Sequence, residues 1–450
     1  MGKLKALILA AGEGTRMKSK ISKVIHPILG KPMINYVANA CRNAGCEDII
    51  IVAGDNMQAL QTVEPNALFA HQKERLGTGH AVMCAGDFIK DDDIIFIAYG
   101  DGPLIRAETI KGIIAAHEKS EATATIVSCV FENPVGYGRV IRVNGSFSRI
   151  VEQRDADESE QLVNEINTGM ACYNGKALKE ALKELKCDNS QNEYYLTDVA
   201  PILKGKGLAV DICVGEHPLD FYGVNDRAQL AEAADIIKKR INTELMLSGV
   251  SIWDPANTYI GPDVSIEAGT CILPNTIIEG LCKIGEDCEI GPSTTIKNSS
   301  IGDNCTVTSS VLDRAEIHNN VSVGPYAYLR PGAVLMDNAK IGDFVEVKNA
   351  VIGKNSKASH LAYIGDAKIG DNVNFGCGAI TVNYNGSTKS QTIIKDNAFI
   401  GSNSNLVAPV TIERGGYIAA GSTVTKTVPE NCLTVARARQ ENKEGRAPKF

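Results

Sequence analysis

Three short stretches of this 450-residue chain carry side chains whose types and spacing could do chemistry. The first, LILAAGEGTRMKS at residues 7–19, is an apolar run that opens into a glycine-rich loop with Arg16 and Lys18. Glycine lets backbone N–H groups come close to a phosphate, and nearby cations neutralise it. The loop nearly fits the dinucleotide fingerprint G-x-G-x-x-G through Gly12 and Gly14, and the P-loop through Gly12, Lys18 and Ser19; Met17 breaks both patterns. Taken alone, it is either a phosphate cradle or a tight strand-to-helix turn with surface cations. The second stretch is IIFIAYGD, where Asp101 follows a strand-like run and either holds a divalent cation through oxygen or caps a helix. The third is SKASHLAYIGD, where His360 interrupts an otherwise regular repeat. An imidazole with an ordinary pKa near 6.5 exchanges protons around neutral pH, although a lone histidine also serves structural roles.

The elements that must hold these residues follow two different grammars. Up to about residue 225, strand-like runs (Leu4–Ala10, Asp48–Ala53, Asp93–Ala98, Ala122–Val130) alternate with helical spacing at Pro32–Ala44 and Thr109–Lys119. Near-continuous apolar strands separated by helices predict a largely parallel sheet covered on both faces, an α/β domain. Ligands of such sheets bind beyond the carboxyl ends of the strands, where the loops Gly12–Arg16 and Tyr99–Asp101 would lie. Residues 226–248 place Leu230, Ala233, Ile237, Ile241 and Leu245 at helical spacing among charged residues, which predicts one amphipathic linking helix.

From Ile260 the period becomes six. Ile260, Ile266, Ile272, Ile278, Ile284, Ile290 and Ile296 follow one another, then Val311, Ile317, Val323, Leu329, Leu335, Ile341 and Val347, then Ile394, Ile400, Leu406, Ile412, Ile418 and Val424. That is the hexapeptide repeat of a parallel β-helix, each aliphatic pointing inward. Pairs such as Ile284-Gly285 and Ile341-Gly342 put a glycine at the following corner. No inward aliphatic appears around NYNGSTK, Asn383–Lys389, which predicts a loop thrown out of the solenoid. The domains expected are therefore 1–225, a helical linker 226–248, and 249–450.

Composition narrows the classes of function. Net charge is −7 with no basic block, which argues against nucleic acid as a partner. No apolar run is long enough to span a bilayer, and Ala6–Ala11 is too short for a signal-peptide core, so a cytoplasmic protein with no membrane partner is expected. The 13 cysteines form no C-x-x-C pair, against a disulfide framework or structural zinc.

LAAGEGTRM with Lys23, QKERLGTGHA, YGDGPLI, GYGRV, EINTG and GVNDR resemble the motifs of sugar-1-phosphate nucleotidyltransferases. YLRPGA, VEVKNA, SHLAYIGD, NVNFGCGAI, TVNYNG, LVAP and IAAG resemble those of hexapeptide acetyltransferases. In this order they resemble the family of bifunctional N-acetylglucosamine-1-phosphate uridylyltransferases and glucosamine-1-phosphate N-acetyltransferases, over essentially the whole chain. The resemblance implies an N-terminal α/β Rossmann-like domain followed by a left-handed parallel β-helix, a homotrimer, and synthesis of UDP-N-acetylglucosamine from UTP, acetyl-CoA and glucosamine 1-phosphate through N-acetylglucosamine 1-phosphate. The product would feed peptidoglycan and, in some cells, lipopolysaccharide.

The resemblance also assigns residues. Leu9, Ala10, Ala11, Gly12, Gly14, Arg16 and Lys23 meet the nucleotide, with Gln72, Gly77 and Thr78 at the uracil. Tyr99, Gly138, Glu152, Asn167 and Asn225 complete the nucleotide and sugar site, and Asp101 and Asn225 hold Mg²⁺. His360 is the proton acceptor and Glu346 orients it. Arg330, Lys348, Tyr363 and Asn374 take the glucosamine phosphate; Cys377, Asn383, Tyr384, Ser402, Ala420 and Arg437 take acetyl-CoA, with Lys443 near its phosphates. Ser22 stands where many relatives have proline, Gly102 where a larger residue is common, and GCGAI replaces GAGTI around Cys377. Two other readings stay open: a nucleotidyltransferase for another sugar whose β-helix serves assembly only, and a non-catalytic scaffold.

Overall fold

The structure is a computed structural model and describes residues 2–189 and 191–446. The chain forms two compact units, Met1–Ile237 and Lys238–Phe450, each with its own core.

In the first unit the strands are β1 (Leu4–Leu9), β2 (Asp48–Ala53), β3 (Leu68–His71), β4 (Ile94–Tyr99), β5 (Ala124–Val130), β6 (Arg139–Val143), β7 (Ser146–Val151), β8 (Glu165–Asn174) and β9 (Val210–Gly215). They form one sheet in the order β9-β5-β8-β4-β1-β2-β3, with the β6–β7 hairpin joined to β8. All main-path neighbours are parallel except β8, which runs antiparallel to β4 and β5. Helices such as α1 (Met33–Asn43) and α2 (Ala107–Ser120) bury one stripe against the sheet, whose two faces contribute to separate apolar clusters. The continuous apolar β1 and β4 are thus buried on both sides, as their composition predicts, and both deliver loops at their carboxyl ends.

The start of β1 is held by a buried ion pair. Lys5 Nζ lies 2.6 Å from Asp93 Oδ2, with both side chains nearly shut off from solvent. Burial alone would push the Asp93 carboxyl up, but Lys5 and the backbone N–H groups of Lys3 and Lys90 outweigh it and hold Asp93 below the usual carboxylate range. A depressed carboxylate stabilises the fold above its unfolded pKa of about 3.9, and that contribution is lost as pH falls through the folded value. Asp93→Asn removes the nearest anion of Lys5 and leaves it the Phe88 carbonyl at 2.8 Å and Asp48 at 3.9 Å, so urea unfolding at pH 7 is expected to show a loss of about 1.5–3 kcal/mol. The gap to the parent should close as the pH is lowered below about 4.

The second unit is a parallel β-helix. Its strands are mostly two or three residues long, and each pairs in parallel with the strand three further on, so one coil has three faces. Ile272 sits on Ile290, Ile278 on Ile296 and Ile394 on Ile412, all nearly or completely buried. Corner residues such as Asn275, Asn304, Asn320, Asn338 and Asn372 take left-handed φ near 55–60°, which asparagine tolerates better than most residues. The glycine after an inward isoleucine has a different reason: a methyl group on Gly342 would lie 1.9 Å from the Ser359 carbonyl oxygen of the next coil. Every cysteine is free, and Cys282, Cys288 and Cys305 fill the prism as small apolar residues.

Two details of the repeat differ from expectation. Val311 faces solvent and Leu312 is the inward residue, 43% against 0% exposed. The register reaches it through shortened steps of five, Ile296 to Ile301 and Val307 to Leu312 to Ile317, where a corner residue is dropped. Around His360 the step of six is not broken: Ala358 and Ile364 are the inward residues, and alanine disguised the register. The excursion near Asn383 is real. Ile369 pairs with Ile394, and Tyr384–Lys389 project as a loop closed by an antiparallel bridge. The helix expected at 226–248 spans Arg227–Leu247, and the division between the units falls inside it.

Candidate active sites

The loop after β1 folds back over the sheet. Gly14 has φ 62°, and a Cβ there would meet the Lys23 Cβ at 2.5 Å, so glycine lets the Lys23 stem pass. Met17, the residue that spoiled both phosphate motifs, is a core residue, while Lys18 is exposed. Lys23 instead points inward, its Nζ 2.5 Å from Asp101 Oδ2 and 3.3 Å from Asn225 Oδ1. Arg16 also donates to Asn225 Oδ1, at 2.8 Å. Asp101 and Asn225 are neighbours because the Val224 N–H donates to the Asp101 carbonyl.

Lys23 and Asp101 edge a cavity of about 310 Å³ lined also by Leu9, Ala10, Ala11, Gly12, Gln72, Gly77, Thr78 and Tyr99, all assigned from sequence. Gln72 is buried and donates to the Gly77 carbonyl at 3.1 Å. Gly77 begins the helix Thr78–Cys84 at φ 103°, and a Cβ there would lie 2.6 Å from the Tyr194 carbonyl oxygen. Beside the cavity, the Asn167 N–H donates to the Gly138 carbonyl at 2.8 Å, and a methyl on Gly138 would be 3.4 Å from Glu152 Oε2. Burial, then Asp155 and Asp198, push the Glu152 carboxyl up. Burial, then Glu152 and Asp101, likewise raise the Tyr99 phenol, so that ring stays neutral.

Asp101 and Asn225 suit a hard divalent cation: two oxygen donors converge on one point, which the Lys23 ammonium now bonds. Among the described residues no group of three His, Cys, Asp or Glu side chains could hold a metal. That donor set matches Mg²⁺ held by few protein oxygens together with substrate phosphates, rather than a protein cage.

In the solenoid, two long strands, β10 (Lys340–Ile352) and β11 (Lys357–Ile369), run side by side on consecutive coils. His360 Nδ1 lies 2.6 Å from Asp343 Oδ1. Glu346, assigned from sequence as its orienting carboxylate, lies three residues further along the strand. Its register partner is Tyr363, and its Oε1 accepts from Arg330 at 2.7 Å. The reason is the parallel register, which puts Asp343, not Glu346, directly beside His360.

Arg330, Lys348 and Tyr363 share the face that follows the His360 corner. Asn383 donates to Tyr363 Oη at 3.4 Å and to Asp366, and Tyr384 follows it into the loop. Cys377, Ser402 and Ala420 form one column on successive coils from His360, implied by the pairing of Ala358 with Phe375, Phe375 with Ile400 and Ile400 with Ile418. Arg437 approaches its end at Gly421. Asn374 pairs with Lys357 and Phe399 on the preceding face and does not meet Tyr363 within one chain. Lys443 lies near Glu441 in the tail, 4.0 Å away.

Three functional candidates escaped the sequence reading. Arg75, inside QKERLGTGHA, lines the nucleotide cavity and donates to the Ala11 carbonyl at 3.2 Å. Lys389, at the end of the loop, has its ammonium pKa depressed by the neighbouring Lys348, a repulsion between like charges. Asn56 joins the Ala10 carbonyl to the Ser22 hydroxyl at 2.9 and 2.8 Å, so the serine that replaces proline ties the loop through its own hydrogen bond.

Comparison with known proteins covers both units. The MobA-like NTP transferase domain matches residues 6–235. The bacterial transferase hexapeptide, six repeats, matches residues 314–349 and 391–426, and the hexapeptide repeat of succinyl-transferase matches 282–311. The chain is 49% identical over 443 residues to the bifunctional protein GlmU of Clostridioides difficile, covering 98% of this chain and 96% of that one. It is 49% identical to that of Geobacillus sp., covering 99% and 97%, and 46% identical to that of Alkaliphilus metalliredigens, covering 98% of each. With a sheet domain and a left-handed hexapeptide β-helix matched from end to end at this identity, the chain belongs to the bifunctional GlmU family.

Proposed function

We propose that the chain makes UDP-N-acetylglucosamine in two transfers, N-acetylation of glucosamine 1-phosphate by the β-helix and uridylyl transfer to N-acetylglucosamine 1-phosphate by the sheet domain. The observation that carries the second transfer is the meeting of Lys23, Asp101 and Asn225 at one edge of the cavity lined by Gly12, Gln72, Gly77 and Thr78. Every participant there is polyanionic, so the site has to neutralise charge and align attacking and leaving oxygens.

Lys23 and Arg16 supply fixed positive charge to the UTP phosphates, and the glycines of the loop offer backbone N–H groups. Gln72 reads the polar edge of the uracil, while Gly138, Glu152 and Asn167 receive the sugar. Asp101 and Asn225 hold Mg²⁺, which when bound neutralises charge on the phosphates. A phosphate oxygen of the sugar attacks the α-phosphorus of UTP, and the bond to pyrophosphate breaks.

In the β-helix, His360 takes one proton from the glucosamine ammonium, the freed nitrogen lone pair attacks the thioester carbonyl of acetyl-CoA, and the C–S bond breaks as a second nitrogen proton passes to the sulfur, so that CoA leaves as the thiol. Arg330, Lys348 and Lys389 hold the sugar phosphate; Cys377, Ser402 and Ala420 offer a column of small side chains for the pantetheine, and Arg437 its phosphates. Asn374 lies on a different face from Tyr363, which suits a site shared between copies and supports a homotrimer.

The test supplies glucosamine 1-phosphate, acetyl-CoA, UTP and Mg²⁺ and follows CoA and pyrophosphate separately. Both should appear, CoA first. Pyrophosphate formed only when N-acetylglucosamine 1-phosphate is added directly would sink the acetyltransferase half.

A further inference from the structure

We propose that Asp343 is a positioning residue for acetyl transfer, fixing the ring of His360 so that Nε2 faces the amine. The proposal rests on the reading of His360 as the base. Asp343 and His360 are directly paired on adjacent strands of the β-helix, where paired residues stand about 4.8 Å apart. Their side chains close that gap to 2.6 Å between Oδ1 and Nδ1.

The backbone holds both residues in the same attitude. Each is followed by a bulky residue in the left-handed region, Phe344 at φ 58° and Leu361 at φ 32°. Such conformations are unfavourable for these side chains and persist only where the surroundings impose them. Asp343 and His360 therefore occupy equivalent positions at successive turns of the same corner, and the ring meets the carboxylate through Nδ1. Phe344 also stacks on Tyr326 of the preceding coil, with ring centroids 5.5 Å apart, which pins this turn.

An ionised carboxylate only accepts hydrogen bonds, so Nδ1 must carry the hydrogen and Nε2 keeps its lone pair. The lone pair then takes a proton from the sugar ammonium; the freed nitrogen bonds to the acetyl carbon, the C–S bond breaks, a second nitrogen proton leaves with CoA as the thiol, and the imidazolium sits beside a negative charge. No other carboxylate is available for the task on this strand: Glu346 is turned toward Arg330. Both side chains are partly exposed, 63% for His360 and 38% for Asp343, so the carboxylate acts here through geometry and tautomer choice more than through long-range field.

The experiment compares the full-length parent with D343A, D343N and H360A. Asparagine keeps the shape of aspartate but can turn its amide N–H toward Nδ1 and select the wrong tautomer. Both Asp343 variants should lose about tenfold or more in kcat for CoA release, with KM for acetyl-CoA and glucosamine 1-phosphate unchanged. Pyrophosphate release from the same chains should equal the parent's, which shows that they are folded. Histidine-selective ¹⁵N spectra at pH 8.5 should show the His360 signal, identified by its absence in H360A, as the Nδ1–H tautomer in the parent and shifted toward Nε2–H in D343N. A D343N protein with parental kcat and an unchanged His360 tautomer would overturn the proposal. An H360A protein that still releases CoA would instead overturn the reading of His360 as the base.

Discussion

Replacing His360 with alanine abolishes CoA release, by about 10²- to 10⁴-fold, and leaves pyrophosphate release from UTP and N-acetylglucosamine 1-phosphate unchanged. The size follows from the chemistry: the amine of glucosamine 1-phosphate is an ammonium near neutral pH, and without a positioned base it must lose its proton to water before attack. The selectivity follows from the fold. His360 belongs to the β-helix unit, and its hydrogen-bond partner, Asp343, lies in the neighbouring coil of the same unit. Nor does the side chain hold the prism together. It is exposed, while the inward positions on either side are filled by Ala358 and Ile364. Coupled assays of the two products on one preparation check the result, and parallel loss of both activities in a folded protein would count against two independent sites.

The mirror experiment is Asp101→Ala, expected to lower pyrophosphate release by about 10²- to 10³-fold while CoA release stays at the parent's rate. Asp101 faces both Lys23 and the Asn225 amide, so its removal takes away one of the two oxygen donors and leaves the Lys23 ammonium without its anionic partner. The Mg²⁺ concentration for half-maximal rate should rise as well, because a single neutral donor from Asn225 remains. Lys23→Ala lowers the same activity by a different route and should leave the Mg²⁺ requirement nearer the parent's. A D101A protein with parental pyrophosphate release would remove this corner of the cavity from the site.

Much of this was legible in the order of residues because the two halves obey strong periodicities. Apolar runs at Leu4–Leu9 and Ile94–Tyr99 announce doubly covered strands, and a period of six has no other common structural meaning than a coiled prism. What escaped was register at single-residue resolution. Val311 and Leu312 are both aliphatic, and only the shortened corners before and after them decide which one turns inward. The same holds for Asp343 and Glu346, two carboxylates three residues apart on one strand: which meets His360 depends on the number of residues in the intervening coil. Lys389 was hidden for another reason. Its proximity to Lys348 arises where the loop returns to the coil, and no local pattern marks a return point.

The pairing of each short strand with the strand three further on means that a coil is in contact only with the coil before and the coil after. Length changes in this half are therefore quantised. Removing one whole turn would carry every downstream side chain along the axis by one storey and leave it on its own face, whereas a single residue can be lost only at a corner, as in the steps of five from Ile296 to Ile301 and from Val307 to Leu312. The loop between Ile369 and Ile394 obeys the same rule from the other side: its extra residues leave and re-enter at one corner, so the stack continues as though they were absent. Evolution of this half is thus free to lengthen loops and to add or drop storeys, and is barred from most changes in between.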